Sequence, residues 1–123
     1  MRDYRKVKVW DKSHLLVKDL YSATSKFPKE ELFGITSQLR RAASSIPTNI
    51  AEGCGRSGDA DFRRFLQIAF GSANETEYLI FLSYELNYLQ KSKFIELNSK
   101  IVEVKKMLAG MIKKITNDII NNK

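Results

Sequence analysis

The sequence is short of the residues that make staples and ligand cages. A single Cys excludes an internal disulfide, and one Cys with one His is too little for a dedicated zinc site. No run of about 18 apolar residues occurs, so no membrane-spanning helix is expected. The opening MRDYRKVKVWDK lacks an uninterrupted apolar core and does not read as a signal peptide, which leaves the glycosylation pattern Asn74-Glu75-Thr76 incidental. What is present is globular in kind. With 43% hydrophobic and 28% charged residues, the 123-residue chain is too apolar for disorder. A single domain of this length, residues 1–123, buries roughly two-thirds of its unfolded surface and needs no staple. A cytoplasmic location is expected.

The formal charge of +7 is uneven. Residues 1–30 carry net +4, residues 31–58 +1, residues 59–90 −3 and residues 91–123 +5. Two basic ends therefore flank an acidic third quarter. That pattern suits a polyanion-binding surface, a subunit contact in which basic and acidic segments meet, or ordinary solvated helix faces.

Hydrophobic spacing predicts four helices. The first spans about 9–25, with Trp10, His14, Val17 and Tyr21 spaced 4, 3, 4 and Leu16, Leu20, Ala23 and Phe27 flanking them on a broad apolar face, and Pro28 stops it. The second spans about 36–52, with Thr36 as N-cap and Ile35, Leu39, Ala42, Ala43, Ile46 and Ile50 in helical register. Pro47 falls inside it and is expected to kink rather than break it. Ala42-Ala43-Ser44-Ser45 would let a neighbouring helix come close, and Gly53 and Gly55 suit the C-terminal stop. The third, about 59–88, carries a core stripe (Phe62, Phe65/Leu66, Ala69, Ala73, Thr76, Leu79/Ile80) and a second stripe of Phe70, Phe81, Tyr84 and Tyr88. Either that second stripe is a subunit interface or the helix is sunk among its neighbours. The fourth, about 92–120, reads Phe94, Leu97, Ile101, Val104, Leu108, Met111, Ile115, a seam for shallow packing. Short connections make consecutive helices antiparallel, so the reading is all-α, an up-down-up-down four-helix bundle.

Few motifs survive a chemical test. Gly53-Cys54-Gly55-Arg56-Ser57-Gly58 is formally G-x-G-x-x-G, but a helix precedes it and Asp59 and Asp61 stand where a pyrophosphate would sit. It reads as a flexible link. Cys54 lies in that link, where Arg56 would lower its pKa, yet no base accompanies it, and His14 sits in an apolar stripe. A di-iron bundle needs two Glu-x-x-His pairs, and the chain has one His. Glu75 and Glu77 do not share a helix face. No catalytic residue, metal site or cofactor is predicted.

Arginine carries more signal, because its planar fork suits phosphate and carboxylate alike. Arg56, Arg63 and Arg64 should gather at one end, and Arg40 and Arg41 should form a separate patch. The competing reading pairs them with Glu52, Asp59 and Asp61, or with acids on another subunit. Arg5, Lys6 and Lys8, interleaved with Tyr4 and Trp10, suit phosphate contact and base stacking, unless their aromatics fold onto the bundle.

Three stretches carry a resemblance: Tyr4–His14 (YRKVKVWDKSH), Gly34–Gly53 (GITSQLRRAASSIPTNIAEG), and Phe62–Leu66 (FRRFL) with Gly71-Ser72. They resemble the 23S rRNA intervening-sequence proteins, which are similar to the accessory variability proteins of diversity-generating retroelements. The resemblance implies a four-helix bundle assembled as a homopentameric barrel, with no known enzymatic activity. Its retroelement relatives bind a reverse transcriptase and nucleic acid through a positive surface. It brings no catalytic or binding motif. Two functions are therefore expected: an oligomer that binds RNA, DNA or a nucleoprotein through Arg5, Lys6, Lys8, Arg40, Arg41, Arg56, Arg63 and Arg64, or a protein–protein adaptor whose charge serves assembly.

Overall fold

The computed structural model describes residues 2–122, all of whose regular elements are helical. A 3₁₀ turn at Tyr4–Lys6 leads into α1 (Lys8–Thr24), and a second at Lys29–Glu31 leads into α2 (Ile35–Cys54). Helices α3 (Asp59–Glu85) and α4 (Lys91–Asn121) complete the chain. Helix α1 packs on α2 and α4, and α3 packs on the same two, with no backbone contact across either diagonal among the described residues. Facing residues run in opposite senses along each pair. Ser45 meets Ser72 and Gly53 meets Phe62; Tyr84 meets Phe94 and Arg63 meets Thr116.

The core lies where the predicted stripes converge. Every residue of the expected α3 core stripe is buried, as are Leu97, Ile101, Val104, Leu108 and Ile115 of the α4 seam. Leu39, Ala42, Ala43, Ile46 and Ile50 of α2 are buried too. Helix α2 continues through Pro47, whose ring is buried.

Four local expectations change. Thr36 is not the N-cap of α2: Gly34 holds that position, and the Thr36 hydroxyl is buried without a hydrogen-bond partner. Gly53 is no flexible link but a buried residue inside α2. A Cβ there would lie 2.9 Å from Phe65 Cβ and 3.1 Å from Phe62 Cδ1, so its bare backbone is what lets α2 and α3 approach. Helix α3 ends at Glu85, three residues early, because Asn87 adopts φ 66°. The Asn87 amide donates to Tyr84 O and the Tyr88 amide to Ser83 O, both at 2.9 Å, which satisfies the last carbonyls and turns the chain toward α4.

The fourth change concerns α1. Its buried seam is Val9, Ser13, Leu16, Leu20 and Thr24, so the expected flanking leucines form the centre of the face, one residue out of phase with the expected central line Trp10, His14, Val17 and Tyr21. One residue is about 100° of helix rotation. The aliphatic stripe goes inward, and its two hydroxyls are satisfied within the helix, Ser13 on Trp10 O and Thr24 on Leu20 O. The aromatic stripe is left at the edge of the bundle.

Candidate nucleic-acid interface

That displaced stripe forms one wall of a groove of about 630 Å³ between α1 and α2. Tyr4, Trp10, His14 and Val17 face Ser44, Pro47 and Thr48 across it. The aromatic wall is a ladder. The Arg5 guanidinium stands 5.1 Å over Tyr4, Tyr4 meets Trp10 edge-on at 4.9 Å, and His14 stacks on Trp10 at 5.0 Å with planes 7° apart. His14 is therefore a surface residue of this wall, not a core imidazole.

The basic arm that supplies the ladder is pinned. The Arg2 amide donates to Cys54 O at 2.9 Å, and its side chain bonds Asp59 at 3.2 Å while lying 4.0 Å over the Phe62 ring. Asp3 accepts from the Arg5 amide at 3.1 Å and caps the 3₁₀ turn. Arg2 belongs to the basic run in the sequence, but only its tertiary partners identify it as the anchor. Arg5, Lys6 and Lys8 are exposed, and no carboxylate lies within ion-pair distance of them among the described residues.

At the other end of α1, Arg40 reaches across from α2. Its guanidinium lies 4.6 Å over Tyr21, and its Nε donates to Thr24 Oγ1 at 2.9 Å. Arg41 is exposed and lies on the same face of α2 as Ser44 and Thr48. Tyr21 continues the Trp10–His14 stripe two turns on, so the two basic patches sit at opposite ends of one face. Trp10 and Tyr21 are separated by about 16 Å of helix.

The α2–α3 corner is different. Arg56 bonds Glu52 at 3.2 Å and reaches Asp61 at 3.7 Å, and Arg64 bonds Asp61 at 2.9 Å. Both guanidinium groups lie over the Phe65 ring, at 4.9 and 4.4 Å. Arg63 turns away toward α4, donating to Thr116 Oγ1 at 3.3 Å. Arg56 and Arg64 do gather, but around two carboxylates, Asp61 and Glu52, that balance them, and Arg63 does not join them. Cys54 beneath this corner is buried, and burial pushes its thiol up despite Arg2 nearby. Arg56 does not activate it.

The second α3 stripe also divides. Tyr84 stacks on Phe94 at 4.4 Å, Tyr88 packs on Phe27 at 5.4 Å and donates to Glu31 at 2.7 Å, and Phe70 lies under Lys105. These three have partners inside the chain. Phe81 stands 6.3 Å from Phe94 yet is 45% exposed, and Ile68 and Tyr78 are the other large apolar residues that α3 leaves open. No group of three metal-binding side chains is gathered, and no helix is long and apolar enough to cross a membrane, among the described residues.

Comparison with known proteins places this geometry. No curated protein matches the chain. A crystal structure of a protein with unknown function from the S23 ribosomal protein family of Bacteroides thetaiotaomicron VPI-5482 is similar, with a TM-score of 0.76 and 31% identity. The match covers 85% of this chain and 98% of that one. The model of the 23S rRNA-intervening sequence protein family matches residues 5–110, from the Arg5 of the ladder into the last helix. The chain belongs to the 23S rRNA-intervening sequence protein family.

Proposed function

We propose that the protein is a non-enzymatic, self-associating bundle that binds RNA or a related nucleic acid along the α1–α2 face. The observation that carries this reading is the Arg5–Tyr4–Trp10–His14 ladder flanked by cations without carboxylate partners. Stacked aromatic and guanidinium planes take unpaired bases in a sequence-tolerant way, and the lysines beside them take backbone phosphates. Ser44 and Thr48 supply hydroxyls from the opposite wall. Arg40 and Arg41 extend the face, while Arg56, Arg63 and Arg64 serve chiefly to build the bundle. Several copies in one assembly would multiply a weak patch by avidity. The open apolar residues of α3, Ile68, Tyr78 and Phe81, are where self-association is assigned.

Trp10 is the only tryptophan and lies in the groove, so its fluorescence reads the site directly. Titration with single-stranded RNA at low salt is expected to quench it. The apparent affinity should fall as salt rises, with a log–log slope of about −0.7 for each phosphate engaged. Quenching that is absent at low salt, or indifferent to salt, overturns the reading. The adaptor alternative draws support from one residue: Phe33, 92% exposed beside Leu32 in the loop before α2, has nothing in its own chain to cover it. A protein partner whose capture survives nuclease treatment and is lost in Phe33→Ser favours that alternative.

A further inference from the structure

Among the hollows between the helices, three differ in charge balance. The α1–α2 groove ends on Glu52. The α1–α4 hollow, about 370 Å³, holds Lys12 paired with Glu103 and Lys100 paired with Asp19. The third, about 710 Å³, opens where the C-terminal part of α1 faces the α3–α4 turn and the first turn of α4. Lys26, Lys91 and Lys93 line it, and no carboxylate does. Lys93 leans on Glu96 at 2.9 Å, outside the lining; Lys26 and Lys91 have no carboxylate in range among the described residues.

The position of these cations is unfavourable for the chain by itself. Lys91 and Lys93 stand at the positive end of the α4 dipole, whose first turn has no acidic residue and whose N-cap, Gln90, makes no side-chain cap bond. The hollow thus collects positive charge that its own walls leave uncompensated. Its aromatic walls are held in place before any ligand arrives. Tyr84 is fixed by its stack on Phe94, and Tyr88 by the 2.7 Å bond from its hydroxyl to Glu31. Asn87 and Gln90 line the same hollow, and the backbone of Asn87 is fixed by the turn it makes.

We propose that this hollow binds a nucleoside phosphate, with the phosphate on Lys26 and Lys91 and the base against Tyr84 and Tyr88. The amides of Asn87 and Gln90 offer both donors and acceptors to the edge of a base. The volume falls in the range of small-ligand sites, roughly 300–1,000 Å³. The site closes on the C-terminal end of α1 and the ladder on its N-terminal end, so each stands or falls alone. The nucleotide would come either free or as the phosphorylated end of an RNA strand.

Amide NMR on the full-length protein tests it, with adenosine monophosphate, adenosine, inorganic phosphate and a 5′-phosphorylated trinucleotide as probes. Adenosine monophosphate at millimolar concentration is expected to shift the amides of Asn87–Lys93 and Ser22–Lys26. Adenosine and phosphate alone should each bind about tenfold more weakly, since each forfeits half of the contacts. In the Lys26→Ala/Lys91→Ala variant the shifts should weaken about tenfold, these exposed side chains being dispensable for folding. A trinucleotide that binds more tightly than the mononucleotide supports the site and assigns it to a strand end; the reverse order supports it and assigns it to free nucleotide. No shift in this turn, shifts that persist unchanged in the variant, or phosphate binding as well as the nucleotide would each overturn the proposal.

Discussion

At the corner where α2 gives way to α3, Arg56 and Arg64 close on the two oxygens of Asp61, whereas at the start of α1 Arg5, Lys6 and Lys8 face solvent with no acid in range. Both groups carry cations stacked on aromatic rings, Phe65 in one and Tyr4 in the other. Only the second has charge to spare. The lesson is that a basic cluster in sequence says little until its carboxylates are located. The corner arginines act as girders, their stems covering an aromatic face, and the arm cations are left for a partner.

Breaking the contrast at its strongest point should give the largest effect. Replacing Arg5, Lys6 and Lys8 together with Ala is expected to lower RNA affinity about a hundredfold at low salt and to reduce the salt slope, with the melting temperature unchanged. Arg56→Ala/Arg64→Ala should change affinity by less than about twofold, the size of a remote charge effect. Equal losses in filter binding from the two variants would erase the distinction.

The corner should respond to packing instead. Gly53→Ala pushes a methyl group against Phe62 and Phe65 and is expected to destabilise by about 1–3 kcal/mol. Thermal unfolding reads this as a lower midpoint, while Trp10 quenching by RNA below that midpoint stays intact. A wild-type melting curve would show that α2 and α3 have room to part.

A smaller change should convert one region into the other. Asp61→Asn removes the carboxylate shared by Arg56 and Arg64. Because these pairs are solvent-exposed, stability should fall by no more than about 1 kcal/mol. The two freed arginines should raise RNA affinity a few-fold; unaltered affinity would mean the corner faces away from the bound strand.

The smallest effect is expected on the remaining side, where Lys100 joins Asp19 at 2.6 Å and Glu96 at 3.2 Å. Hydrogen bonds from Lys93 and Lys100 lower the Glu96 carboxyl from its ordinary 4.5, so its contribution is present above that value and disappears as pH falls through the lowered one. The bond to Asp19, outweighing desolvation, raises the Lys100 ammonium from 10.5, so its contribution is full below that value and is lost as pH rises through the raised one. Lys100→Met should flatten both flanks of the stability–pH profile slightly. Neither flank involves the arm, so RNA binding between them should be unaffected.

Much of this architecture is legible in the residues. The Phe62–Ile80 stripe and the Leu97–Ile115 seam each hold one helical period for several turns, and one face of each helix has no alternative use. Helix α1 is less legible because its apolar face is broad, and spacing does not say whether the Trp10 line or the flanking leucines form its centre. Packing chose Val9, Leu16 and Leu20, whose aliphatic shapes fill the core, and left Trp10 half-buried and His14 exposed at its edge. Gly53 could not be recognised as a packing residue from a glycine-rich string, since its role depends on Phe62 and Phe65 arriving from another helix. Helix α3 stops short of its apolar pattern for a related reason: Tyr88 continues the pattern, but Asn87 takes the left-handed conformation that terminates the helix.

The sequence by itself determined the number of helices, most of their inward faces, the family and the uneven spread of charge. Those properties follow from local periodicity, composition and matching residues, all of which are read along the chain. Which cations remain unpaired was decided only by the tertiary structure. Asp61 lies close in sequence to the arginines it balances, but Asp59 holds Arg2 from fifty-seven residues away. Compensation of charge acts through space over a few ångströms, and only folding establishes those distances.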